Sequence, residues 1–271
     1  MSAFILAATL LSAVMACPQH DLSSSSIMKR ADGPADWAYD AAYNWGMINE
    51  NYTTCQTGTQ QSPIHLSTST GYSKTHTPTF NYSTSTAGSL YNWGYGPAFS
   101  LTSNVTDLSG NPSMTFDNET VFLKGWHIHA PADHTIDSAR SKAELHFVHA
   151  TASGAERAVV AFMIDPVPFG TVANSTFFDS FSLPSIPTFS DMTTRIPLDL
   201  DLKQALTEID GAKDFWTYEG SLTSPPCTEG MRWFVAGKKM LVGTEQMQEI
   251  LAVSTYSARE EQKVWGHNIN V

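Results

Sequence analysis

The chain reads as a single-domain, mainly β protein of the α+β class, and three observations carry that reading. Between residues 72 and 123, apolar and polar side chains alternate in short runs punctuated by Gly, Pro and Asn, the pattern of strands joined by turns. Two more strand-like runs follow within 121–149, and Ala158-Val-Val-Ala-Phe-Met-Ile164 is a continuous apolar run of buried-strand length. Helical spacing is confined to Leu202, Ala205, Leu206 and Ile209, then Met247, Ile250 and Leu251, which predicts short peripheral helices; 165–200 reads as irregular surface chain. With 271 residues and 42% hydrophobic content, the chain can fill one large core.

Fifteen Lys and Arg against 26 Asp and Glu leave a net charge of −11, which argues against nucleic acid and anionic membranes as partners. Past residue 16 no apolar run reaches transmembrane length, so no membrane anchor is expected. Residues 1–16 form a short apolar segment ending in small side chains, the form of a secretory signal peptide, although no Lys or Arg precedes it. A buried core helix is the other reading, and the extreme amino-terminal position speaks against it. The polar stretch from Cys17 closes in the dibasic pair Lys29-Arg30, a processing signal, so 17–30 reads as a propeptide and 31–271 as the mature, secreted, extracellular domain.

Removing that leader takes Cys17 with it and leaves Cys55 and Cys227. An even pair in a secreted chain is either a disulfide or two separate buried thiols. Five Asn-x-Ser/Thr sequons, at Asn51, Asn81, Asn104, Asn118 and Asn174, agree with passage through a glycosylating compartment.

The chemistry concentrates in 121–149. Alternate side chains of a strand share a face, so His127 and His129 point one way, and Glu144, His146 and Val148 share a face of the next run. If the two faces meet, three imidazoles converge. Three neutral imidazoles with a fourth position open form the ligand set of a catalytic zinc site. Taken alone, a His-x-His pair is more often surface or hydrogen-bonded core, so other parts of the chain must decide.

They do so at separated places. Trp37-Ala-Tyr39 and Cys55-x-x-Gly-x-x-Gln61-Ser62-Pro63-Ile64 open the domain, and Asn92 to Phe99 follows. His127-x-His129-x-Pro-Ala-Asp133-His and Ala-Glu144-Leu-His146-Phe-Val-His occupy the centre; Tyr218-Glu-Gly-Ser-Leu222-Thr223-Ser224-Pro225-Pro226-Cys227 comes later, with Trp233 beyond it. Together these resemble the secreted alpha-class carbonic anhydrases. The resemblance implies a large central, twisted, mostly antiparallel sheet with short peripheral helices, and reversible hydration of carbon dioxide to bicarbonate with Zn2+ as cofactor. It implies His127, His129 and His146 as zinc ligands, Glu144 as the carboxylate orienting the third, and Thr223 with Asp133 as the pair that orients the attacking hydroxide. Val148, Val159, Leu222, Ser224 and Trp233 match the carbon dioxide pocket, and Cys55 and Cys227 match a disulfide. Ser62-Pro63 and Pro225-Pro226 match cis peptide bonds.

The departures from the pattern also carry expectations. Pro97 stands where the family has its proton-shuttling histidine, which predicts slow proton release unless another group such as Tyr95 serves. Gly125 replaces the Gln that supports the first ligand. Asp133 replaces Glu and is shorter by one methylene, about 1.3–1.5 Å of reach. The ending Val264 to Val271 is read as lacking the family's Asn-x-Arg-Pro-x-Gln segment, so the second ligand is expected to miss its backbone carbonyl partner. Two rivals therefore stand beside the enzyme reading: a secreted binding module on the same fold, and a zinc esterase.

Overall fold

A computed structural model describes residues 36–102, 106–169, 171 and 173–271. The leader, the propeptide and Asn104 lie outside the described residues. In chain order the strands are β1 (His65–Leu66), β2 (Thr79–Asn81), β3 (Thr86–Asn92), β4 (Pro97–Leu101), β5 (Ser113–Phe116), β6 (Glu119–His129) and β7 (Thr135–Ile136). They continue as β8 (Ala139–Arg140), β9 (Ala143–Ala150), β10 (Glu156–Pro166), β11 (Ile196–Leu200), β12 (Phe215–Ser221), β13 (Glu229–Ala236) and β14 (Met240–Val242). Eleven of them form one sheet whose spine runs β11-β3-β4-β6-β9-β10-β13-β12, with β14 on β10 and the β2–β5 pair on β6. Every pairing in it is antiparallel except β10 with β13 and with β14.

The tight turns explain the hairpins. Asp117 and Asn118, both at positive φ (49° and 62°), link β5 to β6, and Asp137 and Ser138 (48° and 65°) link β7 to β8. Two left-handed residues in a two-residue loop match the twist of the strands they join, and Asn and Asp tolerate that conformation best.

Both faces of the central strands are covered, which is why 158–164 is apolar without interruption. Ala158, Val160, Phe162 and Ile164 enter one core with Trp126, Ile128, Leu145 and Phe147; Val159, Ala161 and Met163 enter a second with Val148, Leu222 and Trp233. A third, aromatic cluster of Trp37, Tyr39, Trp45, Trp93 and Tyr95 gathers around Cys55 and Cys227.

The peripheral helices fall where the spacing placed them, at Leu202–Glu208 and Thr244–Ala252; Leu251 faces outward while Met247 and Ile250 are buried. The stretch 165–200 is not wholly irregular. It contains the helix Thr176–Asp179 and ends in β11, which pairs with β3 at the sheet edge. Pro197 masked that strand, and an edge position tolerates it because one side of the backbone needs no ladder partner.

Candidate metal centre

In the register of β6 against β9, His127 lies opposite His146 and His129 opposite Glu144. Directly opposed residues share a face, so this register turns two histidine-bearing strands into one cluster. Nitrogens of His127, His129 and His146 lie within 4.8 Å of one another, and the Nε2 atoms of His127 and His129 are 3.0 Å apart. All three side chains are buried.

Hydrogen bonds decide which nitrogen each ring offers. His129 donates from Nδ1 to the Ser257 carbonyl at 2.6 Å, leaving the Nε2 lone pair facing the cluster. His146 donates from Nε2 to Glu144 Oε1 at 2.7 Å, leaving Nδ1. Burial pushes the His129 imidazole below its ordinary pKa, against the pull of Asp133, and so favours the neutral, metal-binding form. Burial alone would raise Glu144, but the facing rings of His134 and His146 hold its carboxyl well below the usual range. Three buried, converging imidazoles, two of them with a lone pair left facing the cluster, fit a tetrahedral divalent cation, zinc above all, better than a set of structural hydrogen bonds.

The supports extend further than the sequence indicated. Glu144 also accepts from His134, by Nδ1 at 2.6 Å and by the backbone N–H at 2.8 Å. His134 Nε2 is 2.7 Å from the Tyr218 hydroxyl, which donates to Ser62 Oγ at 2.9 Å. His134 and Tyr218 had no role assigned from sequence, although both stand inside the quoted motifs. Gly125 itself carries no side chain, and the Trp93 ring packs edge-on against His127 at 5.2 Å.

The expectation about the carboxyl-terminal segment is corrected. Ser257-Ala258-Arg259-Glu260-Glu261-Gln262 supplies what was thought missing. The Ser257 carbonyl takes the His129 proton, Arg259 donates its backbone N–H to Asp133, and Gln262 donates to the Pro63 carbonyl. What this segment supplies is backbone, which almost any side chain can carry, so a search for Asn and Pro misses it. Beyond it the tail lies along edge strand β12: Glu219 N–H donates to His267 O at 2.8 Å and Asn270 N–H to Thr217 O at 2.7 Å.

Val148, Val159, Trp233 and Tyr218 form one row across β9, β10, β13 and β12. Trp233 packs edge-on to His146 at 5.0 Å. Leu222, Thr223 and Ser224, all buried, follow β12 in the turn closed by Cys227 N–H to Ser224 O at 2.9 Å. Asp133 is buried with Oδ1 on the Arg259 N–H at 2.8 Å, while Oδ2 has no hydrogen-bond partner. Cys55 and Cys227 form a disulfide. Ser62-Pro63, Pro225-Pro226 and, unforeseen, Ala130-Pro131 are cis. Asn51, Asn81, Asn118 and Asn174 are all exposed. Pro97 begins β4 opposite Asn92, and Tyr95 is buried in the aromatic cluster.

Comparison with known proteins agrees with this geometry. The profile of the family described as eukaryotic-type carbonic anhydrase matches residues 38–269. A carbonic anhydrase of Klebsiella pneumoniae is 32% identical over 215 residues, covering 78% of this chain and 80% of its own. Among solved structures, the alpha-carbonic anhydrase of Photobacterium profundum superposes with a TM-score of 0.69 at 28% identity, over 86% of this chain and 99% of its own. A fungal alpha carbonic anhydrase from Aspergillus oryzae gives 0.70 at 26%, over 82% and 89%.

Proposed function

The chain belongs to the eukaryotic-type carbonic anhydrase family, and from that premise we propose that it catalyses the reversible hydration of carbon dioxide to bicarbonate and a proton at a zinc site. The observation that carries this reading is the convergence of three buried imidazoles, two of them with outer nitrogens already bound to Ser257 and Glu144.

His127 through Nε2, His129 through Nε2 and His146 through Nδ1 would hold the ion. Bound zinc supplies the Lewis acidity that makes hydroxide available near neutral pH, the behaviour for which carbonic anhydrases are the reference case. Glu144 and the Ser257 carbonyl fix ring orientation and tautomer. The row of Val148, Val159 and Trp233, clustered with Leu222, offers an apolar surface suited to an uncharged, non-polar substrate. Thr223 and Asp133 orient the attacking oxygen. Attack forms one C–O bond and gives bicarbonate, and the remaining proton must pass to buffer.

A second reading, the same fold with little hydration activity, is favoured by one observation: Asp133 Oδ2 accepts no hydrogen bond and has only His129 Nδ1 beside it, at 3.5 Å. Stopped-flow carbon dioxide hydration on the purified chain, with zinc content measured on the same sample and His127→Ala as control, separates the two. Activity lost in the control is the expected result. Full zinc occupancy without activity would overturn the enzyme reading in favour of a binding module.

We further place the protein in the secretory pathway, with processing after Arg30 and glycans on the sequons. The disulfide and the exposed sequon asparagines support this, and among the described residues no helix is long and apolar enough to cross a membrane. Amino-terminal sequencing of secreted material, and its mass before and after deglycosylation, test it; a terminus upstream of Ala31 would refute the processing step.

A further inference from the structure

The turn Trp93–Gly96, between β3 and β4, lies against two of the three imidazoles. The Trp93 ring is 5.2 Å from the ring of His127 and 5.3 Å from that of His129, at interplanar angles of 65° and 66°. Its Nε1–H donates at 3.1 Å to the carbonyl of Ile128, the residue between them. One side chain thus touches both rings and the backbone that joins them.

The turn is itself held firmly. Trp93 N–H donates to Gly96 O at 3.1 Å, and Gly94 N–H to Asn92 Oδ1 at 2.9 Å. The Asn92 amide donates in turn to Val253 O at 2.7 Å and Pro187 O at 2.9 Å, and Thr255 N–H donates to Tyr95 O at 2.8 Å. Gly94 has φ of +95°, and a Cβ on Gly96 would come within 2.9 Å of the Ile128 carbonyl, so both glycines are needed for this close seating. Tyr95, 4.9 Å from Trp93, and Tyr39, 6.2 Å from it, back the indole. Residues 253–257, which anchor the turn, also supply the Ser257 carbonyl to His129, so turn and ligand partner share one scaffold.

Edge-to-face contact constrains ring rotation as well as position, because the quadrupoles prefer one relative orientation. Ser257 fixes only the His129 ring, whereas Trp93 acts on both rings at once. We propose that Trp93 is a positioning residue for the metal centre: it presets the His127 and His129 rings so that both Nε2 atoms face one point, and thereby raises affinity for a tetrahedral divalent cation. This rests on the zinc reading above, and deepens it.

The test is zinc affinity, measured by titrating the metal-stripped protein against a chromophoric chelator, with near-ultraviolet circular dichroism to establish the fold. Trp93→Leu is expected to bind zinc roughly 10-fold more weakly or worse, as when partners of metal ligands are removed, and Trp93→Phe to recover part of the loss. A correctly folded Trp93→Leu variant with unchanged affinity would overturn the proposal and leave Trp93 as core. Should the Leu variant not fold, 19F NMR of the wild-type chain carrying 5-fluorotryptophan replaces it, with the Trp93 signal assigned through Trp93→Phe. A shift on adding zinc is expected, and an unmoved signal refutes the proposal. His146→Ala keeps the two readings apart. Affinity that depends on His146 but not on Trp93 sinks the positioning role alone, while affinity indifferent to His146 sinks the zinc reading itself.

Discussion

Arg259 donates its backbone N–H to Asp133 Oδ1 at 2.8 Å, and the other oxygen of that buried carboxylate, Oδ2, has no hydrogen-bond partner. Oδ2 lies 3.5 Å from His129 Nδ1, whose proton goes to the Ser257 carbonyl, and a buried carboxylate oxygen without a hydrogen bond is costly. In the family resemblance the donor to this carboxylate is the hydroxyl of the residue at Thr223, and the side chain that receives it is Glu. Asp133 spends one oxygen on the Arg259 N–H, and its side chain is one methylene shorter than that Glu. We expect Asp133→Glu to raise the rate of carbon dioxide hydration about five-fold, the worth of ~1 kcal/mol from one hydrogen bond. Stopped-flow assay at equal zinc content checks this, and an unchanged or lower rate would mean that the Asp is already fully engaged during turnover.

The same residues show how far the sequence could be read. Side chains that act through their own chemistry are legible: the three histidines, Glu144 and the paired cysteines, because period-two spacing and family motifs fix their faces. What escaped acts through backbone or through neighbours brought in by the fold. The carbonyl of Ser257 and the N–H of Arg259 carry no side-chain signature, so their segment was taken as absent. The contact of Trp93 with His127 and His129 depends on the close approach of a turn, which only Gly94 and Gly96 hint at. Strand β11 was hidden by Pro197, a residue that local rules count against strands until the edge position is known.

His149, on the opposite face of β9 from His146, makes the fold sensitive to acid. It is fully buried, its Nε2 is 2.6 Å from the Tyr82 hydroxyl, and burial pushes its pKa down from 6.5 to about 3. Between those values the unfolded chain binds a proton that the folded chain refuses. Stability is therefore intact above pH 6.5 and falls as pH drops towards 3, by ~1.4 kcal/mol per pH unit from this group. His149→Gln, which does not titrate, should flatten the dependence of the urea midpoint on pH in that window. Parallel curves for the two proteins would rule His149 out as the source.

The disulfide joins residues 172 apart and sits where the Arg259 guanidinium donates to Cys55 O at 2.9 Å and to Ser62 O at 2.7 Å. Closing so long a loop restricts the unfolded chain, and losing such a link typically costs about 2–5 kcal/mol. Replacing both cysteines by Ser should lower the free energy of unfolding by that amount and make it insensitive to reductant, whereas wild type should fall to meet it when reduced. Superposed unfolding curves for wild type and variant under oxidising conditions would show the bond to be energetically idle.

Proton release is the step this sequence leaves least provided for. Pro97 has no proton to carry, and Tyr95 is buried among Trp37, Tyr39 and Trp93. The remaining described histidines are committed elsewhere. His134 and His149 are buried in their own hydrogen bonds, His65 lies on Thr135, His76 on Asp117 and His267 on the Gln61 carbonyl. On the proposed reading, a proton left by hydration passes directly to buffer, so kcat should climb with imidazole-type buffer concentration while kcat/KM stays level, because only the turnover-limiting step involves the buffer. Pro97→His should restore part of the rate at low buffer, although proline also sets the start of β4 and its loss adds backbone freedom there. A kcat independent of buffer in the wild-type chain would show that an internal carrier exists, and Tyr95→Phe would then be the variant that finds it.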